Sequence, residues 1–298
     1  MKERYKLYLK ILFPLVAIAV AAMLETATLN SLGPNRRTVN ALQRPRNASH
    51  KLLRPESSVP IVWKAKTSEK IVALTFDDGP DPRFTPKILD ILKKNGIKAT
   101  FFVLGANAQR YPGLVEREAN DGHLIGVHTW DHPHLTRISS REIADELDRT
   151  AEIIARITGP YPRYMRPPYG EMDGRVYRVI HSRGYRIVIW STEFQDLRYP
   201  GALADAGYVA ARVKPGDIIL GHDGRRSYRR RDVKALPYLI AKLKARGYRF
   251  STVDELLIES RSIPGNAKPG KRINGFQHAG VRRDRNLAKK SILSRIDR

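Results

Sequence analysis

The chain has 298 residues, of which 42% are hydrophobic, so it is long enough for one domain with a substantial core plus flanking segments. It contains no cysteine, which excludes a disulfide framework, a thiolate metal site and a cysteine nucleophile. The formal net charge is +24, with +8 in residues 1–69, +7 in residues 70–260 and +9 in residues 261–298. Such charge favours an anionic partner, which nucleic acid, a membrane surface or an anionic cell-wall polymer would each provide.

Residues 1–28 have the pattern of a signal peptide or an N-terminal membrane anchor. Basic residues precede an uninterrupted apolar run of 14 residues, Ile11–Leu24. This length is typical of the apolar region of a signal peptide and is short for a membrane-spanning helix. A cleaved signal and an uncleaved anchor with its basic end inside both remain open, and a buried N-terminal helix is the weaker alternative. Either of the first two predicts an extracytoplasmic protein, secreted or membrane-anchored.

Residues 29–69 lack hydrophobic periodicity and are rich in Asn, Arg, Ser and Pro, which predicts a linker. In residues 70–260, short apolar runs alternate with amphipathic stretches, and we expect about seven strands, each followed by a helix or a loop. The strand segments are IVAL (from Ile71), ATFFVLG (Ala99–Gly105), HLIGV (His123–Val127), Arg163–Met165, RIVIW (Arg186–Trp190), DIIL (Asp217–Leu220) and YRFST (from Tyr248).

This alternation predicts an α/β fold with a parallel sheet, either closed or doubly wound. Because about 190 residues are few for a regular eight-fold barrel, a distorted (β/α) barrel fits better. A capping box, Ser139-x-x-Glu142, opens the longest amphipathic helix. Residues 261–298 are rich in Gly, Pro, Asn, Lys and Arg, which predicts a basic, disordered tail.

Titratable side chains collect where the predicted strands end. Function in parallel sheets and barrels lies at the carboxyl ends of the strands, so these side chains would meet at one rim. In chain order they are Asp77 and Asp78, His128 and His132, Arg166 with Tyr169, Glu193 and Asp196, and His222 with Asp223. The other histidines, among them His123 and His134, have no such context and are predicted to be structural or on the surface.

The residue types indicate a reaction. Two histidines four residues apart plus a carboxylate form a three-ligand site with open positions, as in catalytic metal centres. A metal there would lower the pKa of a bound water and polarise a carbonyl. A second carboxylate could deprotonate the water, a separate histidine could protonate a leaving amine, and a backbone N–H could bind an oxyanion. The set predicts metal-assisted hydrolysis of an amide or an ester.

Four segments carry a family resemblance. TFDDGPD, HTWDH, RPPYG and Ile219–His222 resemble, in order and spacing, the motifs of the polysaccharide deacetylases, the NodB-homology group of carbohydrate esterases (family 4). The resemblance covers roughly Lys70 to Leu257. It implies a distorted (β/α) barrel of the NodB-homology type that removes N- or O-acetyl groups from sugar polymers.

The resemblance also implies a metal centre and a base. A divalent metal, most often Zn²⁺ with Co²⁺ or Ni²⁺ as alternatives, would be held by Asp78, His128 and His132. Asp77 would be the general base, and Arg166 would orient it. Thr129 would brace the loop between the two histidines.

The remaining implied roles concern the acid, the oxyanion and the substrate pocket. His222 would be the general acid, tuned by Asp196. Tyr169 would offer its backbone N–H to the oxyanion and contribute to substrate binding. The residues implied to line the substrate pocket are Leu220, Leu197 and Trp190.

One motif departs from the family pattern. The family usually shows Asp-x-x-Asp-Trp, and this chain reads Glu193-Phe-Gln-Asp196-Leu197. Leu197 replaces the tryptophan that usually walls the pocket, for which Trp190 or Phe194 could compensate. The first motif keeps both acids, whereas muramic-acid-directed members tend to lose the second, so the sequence favours substrates of the N-acetylglucosamine type.

We therefore expect an N-deacetylase acting on peptidoglycan, chitin oligomers or exopolysaccharide. An O-acetyl xylan esterase and a weakly active glycan-binding protein of the same fold are the alternatives. A glycoside hydrolase is disfavoured, because adjacent Asp77 and Asp78 cannot straddle a glycosidic bond. Nucleic acid is not an expected partner, since the basic flanks lack interleaved aromatic residues. The flanks and the segment RRSYRRR (Arg225–Arg231) could instead contact an anionic cell-wall or membrane surface.

Overall fold

The computed structural model describes residues 61–193, 201–224 and 230–261. Within them, eight strands alternate with helices. The strands are β1 (Ile71–Asp77), β2 (Thr100–Val103), β3 (Leu124–Val127), β4 (Tyr164–Met165), β5 (Arg186–Ile187), β6 (Thr192–Glu193), β7 (Ile218–His222) and β8 (Arg249–Ser251). The α-helices are α1 (Thr85–Asn95), α2 (Gly105–Arg110), α3 (Pro112–Asn120), α4 (Ser140–Thr158), α5 (Gly174–Ser182), α6 (Ala202–Arg212), α7 (Arg230–Ala245) and α8 (Val253–Arg261).

The strands form one parallel sheet in the order β5-β4-β3-β2-β1-β7-β6, with β8 also paired to β1. The two ends of this order, β5 and β6, belong to the same short stretch of chain, Arg186–Glu193. The sheet therefore curls until one stretch of chain contacts both of its ends. This arrangement confirms the predicted α/β, distorted (β/α) barrel.

The strand count differs from the prediction of about seven by one added strand. The segment predicted as a single strand, Arg186–Trp190, pairs with β4 through only two residues. The chain then crosses to β7, where Thr192 and Glu193 form β6. A two-residue strand has too few positions to show alternation of polar and apolar residues, so its pairing is decided by the neighbouring strand.

Helix α4 illustrates how the local sequence positions the outer layer. Ser139 Oγ accepts the N–H of Glu142 at 3.2 Å, and Glu142 Oε2 accepts the N–H of Ser139 at 2.7 Å, which confirms the predicted capping box. The apolar face of the helix is buried and includes Ile143, Leu147 and Ile154. The cap and this face together fix which residues of α4 point toward the sheet.

Residues 61–69, predicted as the end of the linker, contact the barrel. The Val62 N–H donates to the Ile187 carbonyl at 2.8 Å, Ala65 is buried, and Lys64 forms an ion pair of 2.8 Å with Asp217. The packed domain therefore includes residues 61–69 as well as the predicted range 70–260.

The predicted N-terminal segment at 1–28, the linker up to residue 60 and the tail from residue 262 lie outside the described residues. None of the helices in the described part of the chain is long and apolar enough to cross a membrane.

One buried acid in α3 stands apart from the rest of the core. Glu118 is fully buried, and within the described residues neither of its carboxylate oxygens has a hydrogen-bond partner. Burial raises the pKa of Glu118 well above its ordinary value of 4.5, and the nearby carboxylate of Asp223 raises it further. At a pH between 4.5 and this raised pKa, the folded protein therefore keeps a proton on Glu118 that the unfolded chain releases.

We predict that Glu118→Met stabilises the protein, and more so as pH rises. The folded-state pKa of Glu118 is raised, so the wild type loses stability as pH increases from about 4.5 toward that pKa, whereas the variant has no such proton to lose. Urea unfolding of both proteins between about pH 4 and pH 8 measures the difference. Glu116→Met, an exposed position of the same helix, is the control. A stability gap that is independent of pH would contradict the prediction.

Candidate metal centre and active site

At the end of β1, the adjacent acids Asp77 and Asp78 both lie close to His128. Successive side chains of a strand point to opposite faces, but Asp78 has φ +74° and leaves the strand geometry. As a result Asp77 Oδ2 and Asp78 Oδ1 both lie 3.7 Å from His128 Nε2. The Asp78 backbone is held in place, because its carbonyl accepts a hydrogen bond of 2.9 Å from the Asn107 side chain.

Asp78, His128 and His132 form the cluster of potential metal ligands found in the described part of the chain. One donor atom from each lies within 4.8 Å of the others. His132 Nε2 lies 3.4 Å from Asp78 Oδ1, and His128 Nε2 lies 3.7 Å from the same oxygen. Ligand atoms about 2.0–2.2 Å from one tetrahedral zinc ion lie about 3.3–3.6 Å from one another, so the spacing fits a small divalent ion.

The orientation of His128 is set by a hydrogen bond on the other side of its ring. Its Nδ1 lies 2.7 Å from the backbone carbonyl of Arg166, which can only accept, so Nδ1 carries the proton. Nε2 is then the atom with a lone pair, and it is the atom that faces both acids. Histidine ligands are commonly fixed by such a second hydrogen bond.

The loop from His128 to His132, called the metal loop below, has an unusual backbone. Thr129 has φ +72° and His132 has φ +71°, a region that non-glycine residues rarely adopt. Thr129 is fully buried, and its Oγ1 accepts the His132 N–H at 3.1 Å. The Thr129 side chain therefore contacts the backbone of His132, and its bracing role stays a prediction.

Asp77 is paired with a buried arginine. Arg166 Nη1 donates to Asp77 Oδ1 at 2.7 Å and to Thr75 Oγ1 at 2.8 Å. Its Nε donates to the carbonyl of Val188 at 3.2 Å, and its Nη2 donates to the carbonyl of Ile189 at 3.0 Å. Burial lowers the pKa of Arg166 and Asp77 opposes that change, but a guanidinium is so weak an acid that it stays charged at neutral pH. Asp77 therefore faces a fixed positive charge on one side and the metal cluster on the other.

Tyr169 lies in a turn that brings it over the histidines. Its φ is +60°, and its ring stacks on His134 with centroids 4.0 Å apart and packs edge-on against His132. His134 in turn pairs with Glu171 at 2.9 Å. The predicted oxyanion donor is therefore joined to the metal loop through side-chain contacts.

His222 ends β7 directly beside the acids. In the sheet register Asp77 is the neighbour of His222 on the adjacent strand. The backbone N–H of His222 donates to Asp232 Oδ2 at 3.0 Å. Asp232 is fully buried and lies in the first turn of α7. The sequence thus predicts the rim position of His222, but its contact with Asp232 follows from tertiary packing.

The predicted pocket residues are only partly described. Leu220 is buried in β7 opposite Thr75, and Trp190 is half-buried next to Gly170 and Arg166. Asp196 and Leu197 lie outside the described residues, and so does most of the arginine-rich segment, 225–229.

Several residues of the site were missed by the sequence analysis. Glu146 accepts two backbone N–H groups of the metal loop, and Asp232 accepts that of His222. His134, predicted as structural or surface, stacks on Tyr169. None of these three residues lies in one of the sequence motifs, and none is close in sequence to the residue that it contacts. The one available signal for Glu146 was its position on a predicted amphipathic helix. That position indicates a face of the helix but not a contact with the loop.

We predict that Arg166→Met destabilises the protein by about 3–5 kcal/mol, because the carboxylate of Asp77 is left buried without its countercharge. Guanidinium unfolding of the metal-free protein measures the change. The matched control is Arg163→Met, which removes the exposed ion pair with Asp254 and should cost less than about 1 kcal/mol. Equal losses for the two variants would be inconsistent with a stabilising Arg166–Asp77 pair.

Comparison with known proteins extends these observations. The family model described as polysaccharide deacetylase matches residues 64–188. The peptidoglycan-N-acetylglucosamine deacetylase PgdA of Listeria monocytogenes is 42% identical over 205 residues, covering 69% of this chain. This chain spans only 42% of the length of that relative.

Two further matches cover most of their own chains. The peptidoglycan-N-acetylmuramic acid deacetylase PdaA of Bacillus subtilis is 36% identical over 201 residues, covering 66% of this chain and 75% of PdaA. A crystal structure of a peptidoglycan N-acetylglucosamine deacetylase in complex with 4-naphthalen-1-yl-N-oxidanyl-benzamide is 38% identical with a TM-score of 0.64, covering 66% of this chain and 92% of that one. With its fold, its motifs and its relatives in agreement, this chain belongs to the polysaccharide deacetylase family.

Proposed function

We propose that this chain is a metal-dependent hydrolase that removes N-acetyl groups from an extracytoplasmic polysaccharide containing N-acetylglucosamine. The observation that carries the proposal is that the two adjacent acids at the end of β1 have different surroundings. Asp78 lies within a cluster of metal-ligand atoms, while Asp77 is held by Arg166 beside that cluster. Hydrolysis of an amide needs both an electrophilic centre and a base, and adjacent residues here supply the two.

Asp78, His128 and His132 would hold the metal. Their nitrogen and oxygen donors suit Zn²⁺ best and are also compatible with Co²⁺ or Ni²⁺. Three protein ligands leave coordination positions open, as catalytic sites require. When bound, the ion would supply Lewis-acid polarisation of the acetyl carbonyl and an acidified water.

Asp77 is the base in this proposal. Its Oδ1 accepts from Arg166, and its Oδ2 faces the cluster 3.7 Å from His128 Nε2. Arg166 donates its hydrogen bond to Oδ1 of Asp77 and not to Oδ2, so Oδ2 is the atom placed to accept a proton from water. Arg166 also fixes the carboxylate orientation, because its guanidinium is held by four acceptors.

His222 and Tyr169 complete the proposed chemistry. His222 lies beside Asp77 at the end of the β1–β7 pair, so an acetamide bound at the carboxyl ends of these two strands would be close to both a base and an acid. Its imidazolium would donate the proton that the departing sugar amine needs. The backbone N–H of Tyr169 would donate to the oxyanion, in a turn kept close to the metal loop by His134 and His132.

The proposed substrate class rests on the sequence and on the relatives. The chain keeps both acids of the first motif, which favours N-acetylglucosamine, and two of the matched proteins are named for that sugar. N-acetylmuramic acid is the second candidate, because a relative named for it is 36% identical. Peptidoglycan is the shared polymer, and we propose extracytoplasmic action on that basis, with the basic flanks contacting the anionic wall.

Acetate release from a panel of glycans tests the substrate class. The panel comprises peptidoglycan, chitin oligomers and acetylated xylan, and mass spectrometry of digested peptidoglycan shows which sugar lost its acetyl group. Loss from N-acetylglucosamine is the expected result. Release from acetylated xylan alone would replace the proposal with an esterase, and release from none would favour a glycan-binding protein.

We predict that removal of divalent metal by a chelator abolishes acetate release and that Zn²⁺ or Co²⁺ restores it, because the water is not acidified without the ion. Acetate is measured before chelation, after dialysis and after metal addition. Full activity in protein shown by elemental analysis to be free of metal would refute the mechanism.

We predict opposite defects for the two adjacent acids. Asp77→Asn should retain metal but lose acetate release by a factor of about 10² or more, because the base is missing. Asp78→Ala should lose metal itself, because one of three ligands is removed. Metal content by elemental analysis and acetate release are measured for both. An active Asp77→Asn protein would refute the base assignment, and a metal-loaded Asp78→Ala protein would refute the ligand assignment.

A further inference from the structure

We propose that Glu146 is a positioning residue that sets the geometry of the metal centre by holding the loop between its two histidines. The inference rests on the metal site of the proposed function. Glu146 lies on α4, whereas His128 and His132 flank a loop that follows β3. The loop residues that Glu146 contacts, Trp130 and Asp131, lie directly between the two histidines in sequence.

The loop needs external partners to keep its shape. Thr129 and His132 both have φ near +70°, and Thr129 is β-branched, for which this conformation is especially unfavourable. Such backbone persists only where the surroundings determine it strongly. The fixed spacing of the two histidines therefore depends on what holds the residues between them.

The carbonyl groups of the loop are held by α2. The Gly105 N–H donates to the Thr129 carbonyl and the Ala106 N–H to the Trp130 carbonyl, both at 3.0 Å. The approach is close, since a Cβ on Gly105 would lie 2.4 Å from the Trp130 ring. These contacts fix one side of the loop.

The N–H groups on the opposite side of the loop are held by Glu146. Its Oε2 accepts the Trp130 N–H at 2.7 Å and the Asp131 N–H at 3.2 Å. An ionised acceptor makes such hydrogen bonds stronger than a neutral one does. On the same helix, Arg149 lies over the Trp130 ring at 4.0 Å. The loop is thus clamped between α2 and α4, and Glu146 supplies both hydrogen bonds from the α4 side.

The helix itself does not require this carboxylate. The start of α4 is stabilised by the capping box at Ser139, and its contact with the core is made by the apolar face that includes Ile143 and Leu147. Replacement of Glu146 should therefore release the loop more than the helix. Removal of a residue that orients metal ligands from outside the coordination shell typically weakens metal affinity by about 10- to 100-fold.

The test compares Zn²⁺ affinity among variants of the full chain. Glu146→Met has a similar length but removes the acceptor, Glu146→Gln keeps one acceptor oxygen, and Glu152→Met is the control at an exposed position of the same helix. Affinity of each metal-free protein is measured by competition with a chromogenic chelator. Circular dichroism and thermal unfolding of the same samples report the fold.

We expect Glu146→Met to bind Zn²⁺ about 10-fold or more weakly while remaining folded, because the histidines lose their fixed spacing. Glu146→Gln should recover most of the affinity, and Glu152→Met should match the wild type. If Glu146→Met does not fold, Glu146→Asp replaces it, since its shorter side chain cannot reach the loop.

Wild-type affinity in a folded Glu146→Met or Glu146→Asp protein would overturn this inference and leave the proposed function intact. Weakening in Glu146→Met that Glu146→Gln does not reduce at all would overturn the role of the acceptor oxygen. A wild-type protein that binds no Zn²⁺ or Co²⁺ would instead refute the proposed function, and this inference with it.

Discussion

The buried pair of Arg166 and Asp77 is the interaction on which the rest of the site depends. Arg166 follows β4, yet it donates to side chains of β1 and to the carbonyls of Val188 and Ile189 beyond β5. One guanidinium therefore joins three separate parts of the curled sheet. A charge at this depth is tolerated because each of its three nitrogens donates a hydrogen bond and it faces a carboxylate. The same contacts that stabilise the charge also orient the proposed base.

A second constraint separates the two adjacent acids. Ordinary strand geometry would send Asp77 and Asp78 to opposite faces of the sheet. The left-handed backbone at Asp78 instead brings its carboxylate to His128 and His132, while Asp77 stays with Arg166. The backbone carbonyl of Arg166 also orients His128, so Arg166 contacts both Asp77 and one of the candidate metal ligands. The proposed base and one proposed metal ligand are thus both held by Arg166, directly after β4.

Much of this organisation could be predicted from the sequence. The alternation of apolar runs and amphipathic helices predicted the parallel sheet, because buried strands and helix faces leave a local signature. The length of the domain and the family resemblance predicted that the sheet forms a distorted barrel. Strand β6, the contacts of residues 61–69, the clamp by Glu146 and the contact of Asp232 with His222 could not be predicted. Each of them joins residues distant in sequence, and none has a local pattern that distinguishes it from an ordinary loop or helix face.

The sequence by itself determined which chemical groups are present and in what order they meet the ends of the strands. It also determined the family, because the order and spacing of four motifs identify the family without knowledge of the fold. Only the tertiary structure decided which oxygen faces which nitrogen. Asp77 and Asp78 are neighbours with the same side chain, and their different surroundings arise from one backbone angle and from a guanidinium 89 residues away. Such differences depend on packing between strands, which no local pattern specifies.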